Sequence, residues 1–148
     1  MTSKRFLALL TACLVVASIA AEKPASPGVI HLNHEKVAAV FAQGGMLLAT
    51  NNYKVMALRR DQPGEVEVHA RDTDIVYVLE GSATFVTGGT AIGPRATGPD
   101  ETRAKTIEGG DERHLTKGDV LIIPNGVPHW FKEIQGSPFL YYVVKVSK

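Results

Sequence analysis

The sequence predicts an all-β fold, a sandwich or barrel preceded by one short helix. Three observations carry this. Short runs rich in β-branched and aromatic residues recur from position 46 onward, Gly, Pro and Asn separate them, and only one segment has a helical apolar stripe. With 148 residues, 45% of them apolar and 21% charged, the chain has the length and composition of one domain with a single core. Lys and Arg total 16 against 15 Asp and Glu, so there is no basic field for nucleic acid. One Cys cannot build an internal disulfide framework.

The N-terminal segment reads as a secretory signal peptide over 1–20. Lys4 and Arg5 precede an apolar run over 6–16, and the small residues Ser18 and Ala20 suit cleavage after Ala20, with Ala21 as a near alternative. The run is shorter than the roughly 20 residues a bilayer requires, so no stable membrane span is expected. Cleavage would remove Lys4, Arg5 and Cys13, leaving 14 basic against 15 acidic residues and no thiol. Leu10-Thr11-Ala12-Cys13 also fits a lipobox, but Leu14-Val15-Val16 keeps the chain apolar beyond the Cys. That favours a cleaved signal and an exported protein, periplasmic or secreted.

Residues 21–45 are expected to be a leader and a short helix. After the Pro, Ser and Gly of 24–28, Asn33 can cap a helix over 34–43 with Val37, Val40 and Phe41 on one stripe and Gly44-Gly45 as its stop. The barrel domain then occupies 46–148. Its expected strands cover 46–50, 54–60, 65–69, 75–79, 83–86, 105–108, 120–123, 129–133 and 139–146. The interval 87–104, with Gly88-Gly89, Gly93-Pro94 and Gly98-Pro99, is expected as a long loop, functional or disordered.

The residues with chemistry cluster in two segments. In Glu65-Val66-Glu67-Val68-His69 the alternation of a strand puts Glu67 and His69 on one face and the two Val on the other. Asp74 follows closely and opens the apolar run 75–79. The second segment runs from Gly118 through Pro124-Asn125-Gly126 to His129-Trp130-Phe131 and reads as strand, Asn-Gly turn, strand. That turn is expected to bring His129 beside the strand just ended, facing the barrel interior as a partner for His69.

These residues carry a resemblance to the cupin superfamily. Its motif G-x5-P-x-G-x2-H-x3-N is met by Gly118, Pro124, Gly126 and His129, with Glu133 in place of the final Asn. Its motif G-x5-H-x-H-x3,4-E-x6-G, counted back from Gly81, puts Asp74 at the Glu, His69 at the second His and Glu67 at the first, with Asp61 at the opening Gly. The resemblance covers about 46–146. It implies a jelly-roll β-barrel that holds one divalent metal ion, with open coordination positions for a small molecule. The set Glu67, His69, Asp74 and His129 offers two nitrogens and two carboxylates, a donor mix suited to Fe(II), Mn(II), Zn(II) or Ni(II).

The remaining candidates are weaker. His114 reads as a solvated hairpin residue, and His31 and His34 as surface residues of the leader and helix. Trp130 is assigned to the core and Phe131 to the pocket wall, while Arg71, Tyr77, Tyr141 and Tyr142 stay unassigned. No G-x-S-x-G elbow, phosphate-binding Gly loop, H-E-x-x-H or Cys pair occurs, which removes serine acyl transfer, nucleotide use and a thiolate zinc site. The sequence therefore points to an exported metalloprotein acting on a small polar molecule as an oxygenase, isomerase or lyase, with Glu133 the only nearby candidate general base. The competing readings are a binding module for a sugar or acid, and a barrel whose metal is structural or absent. A homodimer is expected, with 139–146 as its pairing strand.

Overall fold

The chain curls into an antiparallel sheet whose longest strand, the last, pairs with three others. The computed structural model describes residues 28–148. The signal peptide and lipobox readings therefore lie outside the described residues. The order is α1 (His34–Phe41), β1 (Gly45–Ala49), β2 (Tyr53–Arg60), β3 (Val66–His69), β4 (Asp72–Thr87), β5 (Thr90–Ile92), β6 (Arg95–Gly98), β7 (Glu101–Ala104), β8 (Thr106–Glu108), β9 (Asp111–Thr116), β10 (Val120–Ile123) and β11 (His129–Ser147).

Asn33 starts α1 as the sequence predicts, its side-chain oxygen accepting from the Lys36 backbone N–H at 3.1 Å. The helix ends at Phe41, short of the expected 43, because the chain turns at Gly44, where φ is +74°. No residue of α1 is buried. It props the outside of the sheet, where Phe41 meets Tyr142 edge-on at 5.0 Å between ring centres.

One sheet holds nine strands, in the path β1-β2-β11-β3-β7-β6, with β4 beside β11 and β9 and β10 beside β4; β5 and β8 form a second, two-stranded sheet. Along its C-terminal half β11 pairs with β2 on one edge and with β4 on the other. The expected pairing strand at 139–146 is thus internal, and its backbone groups are already used. The runs expected at 75–79 and 83–86 are one strand, β4, because Gly81 at φ +80° bends it without ending it. In the same way 129–133 and 139–146 fuse into β11.

Two further expectations are corrected. The interval 87–104 is not a loop: Gly88, Gly89 and Gly93, all at positive φ, turn the chain tightly enough that β5, β6 and β7 form, and β7 pairs with β3. The Asn125-Gly126 turn does not close a hairpin either. β10 pairs with residues 74–77 of β4, whereas β11 begins against Thr87 of β4 and Glu67 of β3, so His129 lies beside β3 and not beside the strand that precedes the turn. The sequence reading also lacked β9, whose run of charged residues conceals a strand that buries only Leu115.

The larger core cluster joins Val76, Val78, Phe85, Phe131, Phe139 and Tyr141 with their neighbours. Phe131 lies at its centre, with ring centres 4.6 Å from Phe85 and 5.0 Å from Tyr141. A smaller cluster of Val66, Val86, Ala104 and Ile107 takes Trp130 against it, and the indole donates to the Gly64 carbonyl at 2.7 Å. Trp130 is core and Phe131 lines the cavity, as alternation predicts.

Candidate metal centre

Five strands, β2, β3, β4, β7 and β11, aim polar side chains into one cavity of about 260 Å³. On β3, Val66 faces the smaller core while Glu67 and His69 face the cavity. On β4 the inward positions are Asp74 and Val76, and Ile75 and Tyr77 face outward. β11 opens with His129 and Phe131 inward, and after its irregularities returns Tyr141, Val143 and Lys145 to the same wall.

The two histidines are buried and firmly oriented. His129 donates from Nδ1 to the Val127 carbonyl at 3.0 Å, which leaves the Nε2 lone pair facing the cavity, since a carbonyl can only accept. His69 uses Nδ1 against Glu101 Oε2 at 2.5 Å and turns Nε2 inward. The backbone behind His69 is pinned as well: Gly126 N–H donates to its carbonyl at 2.8 Å, and the Asn125 side chain donates to the Ala70 carbonyl at 3.1 Å. The turn between β10 and β11 thus braces His69 from behind.

Glu67 divides its two oxygens between two tasks. Oε1 accepts from Arg103 at 2.7 Å and Arg60 at 3.1 Å, while Oε2 lies 3.5 Å from His69 Nε2 and 4.0 Å from His129 Nε2. Arg60 is held in turn by the Tyr141 hydroxyl at 2.8 Å and by the Phe131 ring face at 4.6 Å.

Burial alone would raise the Glu67 carboxyl, but its contact with His69 and the guanidinium groups of Arg103 and Arg60 outweigh this and hold it well below the usual carboxylate range. Asp74 is lowered likewise, against its own burial, by His69 and Lys145. Burial pushes His129 down, against the upward pull of its bond to the Val127 carbonyl and of Glu67. For His69 burial lowers the value, and the carboxylates of Asp74 and Glu67 overcome it, to about 9. That upward pull acts on a ring whose Nε2 faces an ammonium at 2.7 Å, a contact that is a hydrogen bond only when Nε2 bears no proton.

The donor set fits a metal ion. Ligand atoms of Glu67, His69 and His129 all lie within 4.8 Å of one another, the one such group of His, Cys, Asp and Glu among the described residues. Two ligands about 2.1 Å from an ion stand about 3.4 Å apart at a tetrahedral angle and at most about 4.2 Å apart. The contacts of 3.5 and 4.0 Å from Glu67 satisfy this, as do those of 3.4 and 3.9 Å from Asp74 Oδ2 to His69 and His129. Both His Nδ1 atoms carry the acceptor contact typical of metal-binding imidazoles. Asp74 differs from the other three in being held by Lys145 Nζ, at 2.6 and 2.8 Å.

All four residues read from the sequence line this cavity, but the group whose ligand atoms lie within 4.8 Å of one another is Glu67, His69 and His129 without Asp74, and other candidates fall elsewhere. His114 is exposed on β9, His31 is exposed just before α1 and His34 is exposed at its first position. Glu133 is absent from the cavity wall and accepts from Thr84 and Gln135, each at 3.1 Å, so it cannot serve as a general base there. Arg71 binds the Lys148 carbonyl, and of the tyrosines only Tyr141 lines the cavity. Sequence reasoning missed Arg60, Glu101, Arg103 and Lys145. Lys145 shares the parity of Tyr141 and Val143, but the sequence does not fix which way that parity faces.

The chain matches the family described as Cupin over residues 27–148. No curated protein matches it. Among solved structures it is similar to a protein of Bacillus halodurans, at 14% identity over 84% of each chain with a TM-score of 0.58. A Ralstonia eutropha JMP134 protein provisionally named a mannose-6-phosphate isomerase aligns at 16% identity over 71% of this chain and 83% of its own, TM-score 0.51. An RmlC-like cupin of Methanocaldococcus jannaschii, described as a double-stranded β-helix, aligns at 12% identity over 70% of this chain and 78% of its own, TM-score 0.50. At these identities the structures speak to fold alone, and the fold agrees with the family match and with the curled antiparallel sheet. The chain belongs to the cupin family.

Proposed function

We propose that this cupin binds one divalent metal ion through Glu67, His69 and His129, with Asp74 as a further carboxylate, and receives a small polar molecule in the cavity above. The observation that carries the proposal is the convergence of Glu67 Oε2, His69 Nε2 and His129 Nε2, with both imidazoles fixed from behind. When bound, such an ion supplies Lewis acidity toward an oxygen of the ligand. The chain's own residues do the rest. Arg60 and Arg103 hold Glu67 in place, Val127 and Glu101 orient the histidines, and the apolar wall of Val76, Phe131 and Val143 keeps water from the ligand's far side.

Two activities are open to this site, an oxygenase, isomerase or lyase reaction and binding without turnover. One observation favours binding: each carboxylate lining the cavity is paired to a cation or a histidine, which leaves no free base. Export, with the leader at 1–20, belongs to the same reading and rests on the sequence. So does a homodimer. Since β11 is paired on both edges, we place its contact on the apolar outward side chains of β4 and β10, where Val120 is 60% and Ile122 68% exposed. Metal analysis of protein purified without chelators tests the proposal. About one equivalent of Fe, Mn, Zn or Ni per chain is expected, and a metal-free protein that also takes up none on addition refutes it.

A further inference from the structure

Lys145 stands where a metal-binding site least needs a cation. Its register partner on β4 is Asp74, so the backbone pairing brings the ammonium to the cavity wall beside that carboxylate. There Nζ donates to both oxygens of Asp74, at 2.6 and 2.8 Å, and stands 2.7 Å from His69 Nε2, to which it donates when the ring is neutral. Both side chains of the ion pair are largely buried, Lys145 at 14% and Asp74 at 7% exposure. This is a built contact, not a surface lysine at rest.

We propose that Lys145 is an internal competitor for the metal, so that an ion joins Glu67, His69 and His129 only when the ammonium withdraws. The inference rests on the metal-binding reading above. An imidazole Nε2 has one lone pair, which can accept from an ammonium or bind an ion but cannot do both. Charge points the same way. Glu67, Asp74 and Glu101 line the cavity with Arg60, Arg103 and Lys145, three carboxylates facing three cations, so every carboxylate is matched by a cation before any metal arrives. A divalent ion adds two positive charges beside the Lys145 ammonium, whose ion pair in the cavity is with Asp74. Lys145 withdraws by rotating its own four-carbon stem into the cavity it borders, which frees both His69 and an oxygen of Asp74.

Lys145 would therefore set how tightly the ion is held. Giving up one charge-assisted hydrogen bond shifts an equilibrium by roughly 10- to 100-fold, and that is the gain expected when the competitor is removed. The experiment is a Zn(II) titration of the full chain against a chromophoric chelator, for the parent, Lys145→Met, Lys145→Gln and, as a control outside the cavity wall, Lys132→Met, whose ammonium pairs with Glu112. Lys145→Met and Lys145→Gln should bind Zn(II) roughly 10- to 100-fold more tightly than the parent, and Lys132→Met should match it. Zn(II) binding by Lys145→Met but not by the parent also supports the competitor, while showing the native site to be metal-free. Equal or weaker binding by both Lys145 variants, with the parent binding one equivalent, overturns the competitor and leaves the metal-binding reading standing. No binding by any of the four overturns both. If neither Lys145 variant folds, the parent decides by NMR of its lysine ammonium groups: the Lys145 resonance must move as Zn(II) saturates the site, and an unchanged resonance refutes the proposal.

Discussion

Glu67→Gln separates the electrostatics of the site from any metal. The substitution keeps the shape and removes the charge that Arg103 and Arg60 face at 2.7 and 3.1 Å. Removing one partner of a fully buried ion pair costs about 3–5 kcal/mol. Glu67 is 16% exposed, but Arg60 and Arg103 are 21% and 30% exposed, so water relieves part of their loss. Gln also still accepts one hydrogen bond. We therefore expect about 2 kcal/mol of destabilisation at pH 7, measured by urea unfolding with a chelator present. The sign of the pH dependence follows from the lowered Glu67. A carboxyl lowered by folding contributes stability that is complete above its unfolded value, 4.5, and is lost as the pH falls toward its folded value. The gap between parent and Glu67→Gln should accordingly narrow below about pH 4.5, as unfolded Glu67 takes up its proton. A gap that stays constant between pH 7 and pH 3, or one below about 0.5 kcal/mol at pH 7, would refute the assignment of Glu67 as the anchor of both arginines.

Phe85→Ala opens a cavity against Phe131, 4.6 Å away, at a fully buried position, and should cost about 3–5 kcal/mol by urea unfolding; a loss under about 1 kcal/mol would contradict the core described. Gly81→Ala forces a Cβ to within 2.8 Å of the Gly136 and Pro138 carbonyl oxygens at φ +80°, so the thermal midpoint should drop by several degrees, whereas an unchanged midpoint would show that β4 does not bend there as described. Ile122→Lys places a charge on the apolar edge strand β10 and should convert a sedimenting dimer to monomer at micromolar concentration, with stability within about 0.5 kcal/mol of the parent. A parent that is itself monomeric would rule out the dimer.

What the sequence revealed follows from how local each signal is. Glu67 and His69 are separated by one residue on one strand, so period-2 alternation alone puts them on one face. His129 is found by its spacing from Gly118, Pro124 and Gly126, a local pattern too. The route by which it reaches the site was not legible, because it depends on which strands β10 and β11 pair with, and an Asn-Gly turn is equally compatible with a hairpin. Lys145 was hidden by the irregularities of β11 between Phe131 and Glu133 and between Gln135 and Tyr141. Each of these can flip the parity of all that follows. Glu101 and Arg103 lay in a stretch whose glycines read as loop, and only its pairing with β3 makes it strand. Glu133 failed as a candidate base because the irregularity after Phe131 turns it out of the cavity wall, where Thr84 and Gln135 hold it.

The central claim is that Glu67, His69 and His129 form a metal-binding set, and the most direct measurement is Zn(II) stoichiometry after chelator treatment, in the parent and in His69→Ala, His129→Ala and His114→Ala. The geometry predicts about one equivalent in the parent and in His114→Ala, and loss of the ion in His69→Ala and His129→Ala with the barrel still folded, because the aromatic core around Phe131 does not depend on it. Equal retention of Zn(II) by all three variants, or none in the parent, would contradict the claim.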